Sequence, residues 1–504
     1  MVWTSSMRRN LIYRLIGLAL SGVILLQVSS ILTSIPGQAH KLSPDQTHFL
    51  PPVQAPLESE ESSQLFLPLV YGGPLPLGSL ADNWYLMLDD EHLASREVPR
   101  VYHPFQKHPN NPIMIADRPY EGKAIQLYGT VLPGFSMWYG SYNKAWGLQQ
   151  VLYAESQDGL KWTKPNLDGN GSNALLGGMA ASNASLLHTP QDAPLPYKLM
   201  VYNSSAYYGF RSTTGVDNIP FEENPLFQNG SDVAHFYWDP ILGRYGGTAK
   251  ERILFNGTSR RAIRFLFSDD FVTWSNHPAL LTPDSLDDSL NPESYVHLYG
   301  MPVFPMGEQY VGLLWVFRAR DQAGLYGRVH VQLASSHDGV SWYREDGSRP
   351  PILDLGPPGS WDGGQIYTPT QLLHVGHELW LYYSGCDLQH GGNLYATVCS
   401  IGLAKAVYNR LASLEGTGAV VTNYLDEVGS TLHLNYDTRM GSLRVELLRD
   451  EATIPGYGTE NCDVLTGDSL DQVVSWGGNA TLPEPPFQVK FHLENSLLFA
   501  FKIQ

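Results

Sequence analysis

Ser156-Gln-Asp158-Gly-Leu-Lys-Trp162, Ser268-Asp-Asp270-Phe-Val-Thr-Trp274 and Ser336-His-Asp338-Gly-Val-Ser-Trp342 share one pattern, Ser-x-Asp-x-x-x-Trp. Each follows an alternating apolar run: Gln150 to Ala154, Ala262 to Phe267, and Arg328 to Ala334. An aspartate at this position can accept hydrogen bonds from the backbone just ahead of it and close a turn, after which the tryptophan opens the next strand and covers the sheet face. A turn that recurs in this way is structural. We therefore assign these aspartates and tryptophans no catalytic role.

A second repeat lies upstream of the first. Tyr120-Glu121-Gly122 leads into Leu127-Tyr128-Gly129-Thr130, and Trp361-Asp362-Gly363 leads into Ile366-Tyr367-Thr368-Pro369. Looser versions are Asp232 before Phe236-Tyr237-Trp238-Asp239 and Glu293 before Leu298-Tyr299-Gly300-Met301-Pro302. The unit reads as acid, inner strand, turn, middle strand, turn, outer strand, Asp-turn-Trp. Inner strands near Tyr128, Ala184, Phe236, Tyr299 and Tyr367 make about five units of four short strands, the pattern of a propeller. A sandwich would not need the same turn at regular intervals. After Leu414 the pattern changes. Leu432 to Leu434, Ser442 to Leu447, Gln472 to Trp476 and Phe487 to Leu493 alternate apolar and polar residues and lead into Leu497 to Ile503. The expected fold is all-β: a five-bladed β-propeller over residues 81–415, then a small β-sandwich over 416–504.

Composition agrees with this reading. Of 504 residues, 43% are hydrophobic and only 16% charged, which supplies a core and excludes a disordered chain. The 48 glycines and 35 prolines suit many short turns. A net charge of −17 argues against nucleic acid as a partner, because phosphate neutralisation needs a basic face. At the N-terminus, Arg8, Arg9 and Arg14 precede the apolar run Leu15 to Leu26, with small residues at Gly37 and Ala39. This reads as a signal peptide over 1–39 that is removed on secretion, leaving no stable membrane span. An uncleaved anchor is the alternative, for which the apolar run is short. Residues 40–80, rich in proline, serine and glutamine, read as a linker. Cys386 and Cys399 flank a glycine-containing segment where paired strands would bring them together, so either a disulfide or a reduced pair fits; Cys462 has no evident partner.

Leu86-Met-Leu-Asp89-Asp90, Met137-Trp-Tyr-Gly140, the Ser-x-Asp turns, and Trp361-Asp-Gly-Gly-Gln-Ile-Tyr-Thr-Pro369 before Leu379-Trp-Leu-Tyr-Tyr-Ser384 together resemble the five-bladed β-propeller glycoside hydrolases of the invertase, levansucrase and arabinanase types. The chain looks most like a bacterial branch of that superfamily with a C-terminal β-sandwich. The resemblance implies a funnel on the propeller axis holding three carboxylates: a nucleophile or base, a tuning group and an acid. By position these would be Asp90, with Asp89 as rival, then Asp239, then Glu293, with Asp362 and Glu121 as substitutes for the last. The chain departs from better-known members in lacking a Trp-Met-Asn-Asp-Pro, an Arg-Asp-Pro or a Glu-Cys-Pro motif. The resemblance also allows a calcium ion on the axis, for which no ligand set can be read; no other cofactor is expected.

Glycosidic cleavage passes through a cation-like transition state, so one carboxylate must face the anomeric carbon while a protonated group meets the leaving oxygen. Tyr128, Trp238, Tyr299 and Tyr367, with Asp362, are placed to line the funnel and bind a carbohydrate substrate, the aromatics by stacking on sugar faces. His235, His297, Arg318 and Arg320 could bind hydroxyls or an acidic sugar. The leading expectation is a secreted glycoside hydrolase or transglycosidase. A glycan-binding propeller without catalysis is the rival, and a phosphorylase, which would use cations such as Arg318, Arg320 and Arg328 beside its acid, is a third reading.

Overall fold

A computed structural model describes residues 83–504, except 144–147, 229–230 and 394–395. The expected signal peptide and the whole of the linker lie outside the described residues. Among the described residues, no helix is long and apolar enough to cross a membrane.

The serine and aspartate of each repeated turn behave as their spacing predicts. Asp158 Oδ1 accepts the backbone N–H of Leu160 and Lys161, both at 2.8 Å. Asp270 Oδ1 does the same for Val272 and Thr273 at 2.8 and 2.7 Å, and Asp338 Oδ1 for Val340 and Ser341 at 2.7 and 2.6 Å. The preceding serine hydroxyl donates to the aspartate at 3.0–3.1 Å in all three. Each tryptophan then packs on a ring nearby: Trp162 on Tyr382, Trp274 on Phe236, and Trp342 on Phe265.

The strands between these turns form five antiparallel blades, the fourth and fifth joined into one sheet by a parallel contact between Val329 and Gln365. The first runs Ile125–Leu132, Ser136–Asn143, Leu148–Ser156 and Trp162–Thr163; the second Ser182–His188, Tyr197–Asn203, Ala206–Ser212 and Ile219–Pro220. The third is Ala234–Asp239, Arg244–Phe255, Thr258–Ser268 and Ser275–Leu281; the fourth Tyr295–Gly300, Gln309–Ala319, Gly327–Ser336 and Pro351–Leu353. The fifth consists of Gln365–Tyr367, Glu378–Cys386 and Cys399–Val407, and its outer strand comes from the other end of the domain, Gln106–Lys107. All five inner strands expected near Tyr128, Ala184, Phe236, Tyr299 and Tyr367 are present.

Apolar side chains on both faces of each sheet bury themselves against the neighbouring blade, so one core cluster fills each junction. Trp138 and Tyr153 meet Leu186 and Leu199 between the first and second blades, and Met200 and Tyr207 meet Phe236 and Tyr245 between the second and third. Phe265 meets Val296 and Tyr310, Phe317 meets Leu381 and Tyr383, and Trp380 and Tyr382 meet Ile125 and Leu127, which closes the ring.

Tyr85–Leu86, Leu93–Arg96 and Arg100–Tyr102, expected as part of the propeller, pair instead with strands of the C-terminal sheet. The reason lies in the run from Trp84 to Leu88, which is apolar on both faces. Trp84, Leu86 and Leu88 pack into the propeller core, while Tyr85 and Met87 pack into the C-terminal core. Together with these three, the five C-terminal strands form one continuous eight-stranded sheet. Its two longest, Leu432–Arg449 and Gln488–Ile503, break register partway, and both halves of each contribute to a single core. Cys386 and Cys399 are directly opposed and form a disulfide, whereas Cys462 is free and buried.

Two turn glycines separate backbone strain from crowding. Gly159 has φ +71°, and a Cβ there would sit 2.6 Å from the Tyr382 hydroxyl and 2.7 Å from the Trp380 ring. Gly339, the equivalent in the fourth blade, has φ +74° and nothing nearer than 3.7 Å. Gly159→Ala is expected to destabilise by roughly 2–4 kcal/mol and Gly339→Ala by roughly 1 kcal/mol, read as the shift in urea midpoint. Equal shifts would show that the first blade does not press on Tyr382.

Candidate functional site

The inner strands bring three of the expected aromatics together. Tyr128 lies 4.8 Å from Tyr367, and Tyr367 lies 6.0 Å from Tyr299, ring centre to ring centre. They come from the first, fifth and fourth blades, so the cluster spans the axis. Trp315 completes it, 5.2 Å from Tyr128 and 5.0 Å from Tyr367. Trp315 stands on a middle strand and reaches inward past Gly300, where a Cβ would meet its ring at 2.6 Å. Its Nε1 donates to Thr368 Oγ1 at 2.8 Å, and His235 packs edge-on against it at 4.7 Å. Burial pushes all three tyrosine hydroxyls up from their usual range, so this floor is neutral and aromatic.

Over this floor projects a hairpin. Ala234–Asp239 pairs with its neighbour only as far as Ala249, yet that neighbour and the next strand stay paired to Phe255 and Thr258. The overhang carries Lys250, Arg252, Arg260 and Arg261. Lys250 Nζ sits 4.6 Å from the Tyr299 ring centre, and the Arg261 guanidinium 5.1 Å from the same centre. Lys250 is ion-paired with Asp232, which immediately precedes the inner strand, and Lys250 N donates to Val233 O at 2.9 Å. A cleft of about 360 Å³ opens beside them, lined by Asp232, Lys250, Arg252 and Phe227 among others.

The protein packed around Asp232 disfavours its charge, but the Lys250 ammonium and its hydrogen bond outweigh this and hold the carboxyl below the usual range. Asp232 is therefore ionised at neutral pH. Burial lowers Lys250, and the pull of Asp232 does not fully restore it against Arg261 and Arg252. His297 is buried, and burial with Arg261 and Arg260 brings it down to about 3, so it is neutral. Its Nδ1 accepts the Arg261 backbone N–H at 3.0 Å. His390 Nδ1 donates to Leu325 O at 2.7 Å, which leaves Nε2 to accept from the Tyr299 hydroxyl at 3.2 Å.

The three carboxylates expected to converge stand apart. Asp90 is not on an inner strand. It lies in the surface turn before Leu93–Arg96, half-exposed and ion-paired with Arg96 and Arg100, because the run ahead of it belongs between the two cores. Its rival Asp89 is buried beside it, accepting from Ser335 Oγ at 2.6 Å and facing His337 Nε2 at 3.0 Å. Asp239 ends the third inner strand, about 20 Å along the strand from Asp232 at ~3.3 Å per residue. It is buried there, accepting from the Tyr310 hydroxyl at 2.9 Å and from the backbone of Ile241 and Leu242. Glu293 is exposed just ahead of Tyr295–Gly300, the blade next to Asp232, and has no ion pair among the described residues.

Trp238 packs on Tyr245 between blades and is outside the tyrosine cluster. Asp362 is buried and ties ring closure together: it pairs with Lys107 at 2.6 Å and accepts from the Tyr383 hydroxyl at 3.1 Å. Glu121, fully buried, pairs with Lys164 and accepts from the Tyr139 hydroxyl. Arg318 contacts Asn291 and His330, and Arg320 and Arg328 are exposed. Asp232 carries the same signal as Glu293, an acid leading an inner strand. Lys250 and Arg261 had only the unusual length of two strands to mark them, and Trp315 had no signal. Among the described residues no group of three or more histidine, cysteine or acidic side chains is arranged to hold a metal ion, and Trp315 fills the axis below the tyrosines, so the residues present do not fit an axial calcium.

The Asp89 contacts have a pH consequence. Burial alone would raise its carboxyl, but the hydrogen bonds from His337 and Ser335 and the charge of His337 outweigh it, and the net shift is downward. A depressed folded value contributes stability that is present above the unfolded value of about 3.9 and is lost as pH falls through the folded one. Asp89→Asn should lower the urea midpoint near neutral pH, with the gap to wild type closing as pH falls below the unfolded carboxyl value and through the lower folded one. A gap that stays constant with pH would rule out the carboxylate charge as its origin.

Five antiparallel blades around an aromatic floor and a charged rim define a five-bladed β-propeller. No protein-family model matches the chain, and no curated protein matches it. Among solved structures the chain is similar to an N-acetylgalactosamine deacetylase from F. plautii in complex with blood group B trisaccharide, at 15% identity and a TM-score of 0.42, over 63% of this chain and 96% of that one. It is similar to a glycosyl hydrolase from Bacteroides ovatus at 15% identity and 0.43, over 62% and 96%. It is similar also to a structure from the GH130 family of mannoside phosphorylases, which contains glycoside hydrolases that target β-1,2 mannosidic linkages, at 14% identity and 0.40, over 64% and 96%. The fold assignment rests on the sheet topology itself.

Proposed function

We propose that this chain is a glycan-processing enzyme, a secreted glycoside hydrolase or transglycosidase that holds a sugar above Tyr128, Tyr299 and Tyr367. The observation that carries the reading is the placement of Asp232: a carboxylate at the head of an inner strand, ion-paired with the Lys250 ammonium that sits 4.6 Å from the Tyr299 ring centre. A fixed negative charge above an aromatic floor suits the cation-like transition state of glycosidic cleavage. Asp232 serves as base or nucleophile, because its pairing with Lys250 keeps it ionised. Glu293, at the head of the adjacent inner strand and without an ion pair among the described residues, serves as proton donor to the leaving oxygen.

The test is a screen of activated aryl glycosides and polysaccharides, followed by Asp232→Asn and Glu293→Gln at matched thermal stability. Loss of turnover in Asp232→Asn supports the reading. A parent that binds glycans and cleaves none overturns it in favour of a binding propeller.

A further inference from the structure

The chain as a whole carries a net charge of −17, yet the rim above the tyrosines is locally cationic. Lys250, Arg252 and Arg261 gather on one side of the funnel. The remaining charges on the hairpin are matched elsewhere: Glu251 pairs with Arg264, and Arg260 with Asp288. Three cations therefore stand near Asp232, while Asp321, the carboxylate beside His297, is held by the backbone N–H groups of Leu325 and Tyr326. Arg261 is only 4% exposed, its Nη1 donates to Gly324 O at 2.8 Å, and its Nε has no hydrogen-bond partner among the described residues. The two histidines at this rim, His297 and His390, are neutral as described above. They add donors and acceptors without adding charge.

A buried guanidinium with an unmatched charge is costly unless something negative answers it. Lys250 and Arg261 lie on one face of the hairpin, because Arg261 pairs across from Arg252, and both stand over the Tyr299 ring at 4.6 and 5.1 Å from its centre, so a single ligand group could meet both. We propose that the funnel binds an anionic group at Lys250 and Arg261, beside Asp232: a carboxylate carried by an acidic sugar, or an inorganic phosphate ion, one oxygen of which would bond to the anomeric carbon as the glycosidic C–O bond breaks and the leaving oxygen takes the proton of Glu293. This rests on the reading of the funnel as a saccharide site and narrows it to an oxyanion-bearing ligand. The guanidinium supplies paired donors and the ammonium a point charge, a combination suited to carboxylate and phosphate alike. Asp232 repels a second anion placed too deep, which keeps the group on the cationic side of the rim.

Binding is measured by titration calorimetry on the full chain, with D-galacturonate, D-galactose and inorganic phosphate as probes at low salt. The expected result is that galacturonate or phosphate binds at least tenfold more tightly than galactose, and that Lys250→Met and Arg261→Gln each reduce that affinity at least tenfold. Binding of galacturonate alone identifies the acidic sugar as the source of the anion; binding of phosphate alone identifies phosphorolysis. The inference is overturned if neither anion binds more tightly than galactose, or if it binds equally well to both variants. Because this readout needs no turnover, a chain that binds an anion but cleaves nothing keeps this inference and loses the catalytic one. Cleavage of neutral glycans without anion binding does the reverse. Thermal unfolding of each variant, compared with the parent, separates loss of the site from loss of the fold.

Discussion

Asp232→Asn lowers turnover by about 10²–10⁴-fold on every glycan the parent cleaves, the usual cost of removing a positioned acid or base. The amide keeps the shape of the side chain and removes its charge, so the developing positive charge at the anomeric carbon loses its counterpart. Binding of the ground state should change far less, because the tyrosine floor remains. Because Asp232→Asn also leaves the largely buried Lys250 ammonium without its ion pair, the comparison is made at matched thermal stability, so that the loss reports the charge and not the fold. Glu293→Gln should follow a different pattern. It should slow substrates with poor leaving groups most, since an activated aryl glycoside needs little protonation. The measurement is kcat and kcat/KM for both variants across leaving groups of graded acidity. Rates within about threefold of the parent for Asp232→Asn would remove it from the mechanism.

Trp315→Ala costs about 3–5 kcal/mol of stability, the range for deleting a buried large aromatic. Trp315 is fully buried, contacts Tyr128, Tyr367 and His235, and gives up a hydrogen bond to Thr368 when truncated. Removing it opens a cavity where blades meet, and rigid strands cannot collapse into it. Trp315→Phe keeps most of the packing and should lose well under half as much. Gly300→Ala provides an independent check, since its methyl group would collide with the indole at 2.6 Å and displace it without deleting it. Urea midpoints and tryptophan emission for the three variants decide the matter. A loss of under 1 kcal/mol in Trp315→Ala would mean that the axis is not held by this side chain.

The features legible in the chain are those settled within a few residues. Asp158, Asp270 and Asp338 bond to backbone groups two and three positions ahead, so spacing alone determines their turns. Alternation of apolar residues determines the strands, and the recurrence of the unit determines that there are five blades. The pairing of Cys386 with Cys399 needed one further step, the register of two adjacent strands. Placement of the site is another kind of question. Asp232 and Asp239 both flank the third inner strand, and only the three-dimensional ring shows that Asp232 stands with Tyr299 and Lys250 while Asp239 is held by Tyr310. The run from Trp84 to Asp90 falls within the expected propeller, yet the C-terminal sheet offers it an edge through Phe501 and Ala500. Gln106–Lys107 closes the fifth blade only because Cys399–Val407 has an open edge there. Lys250 and Arg261 reach the axis because their hairpin outruns its neighbour. Each of these outcomes depends on partners tens to hundreds of residues away, where unpaired strand edges and apolar faces compete for cover, and no local pattern records which partner wins.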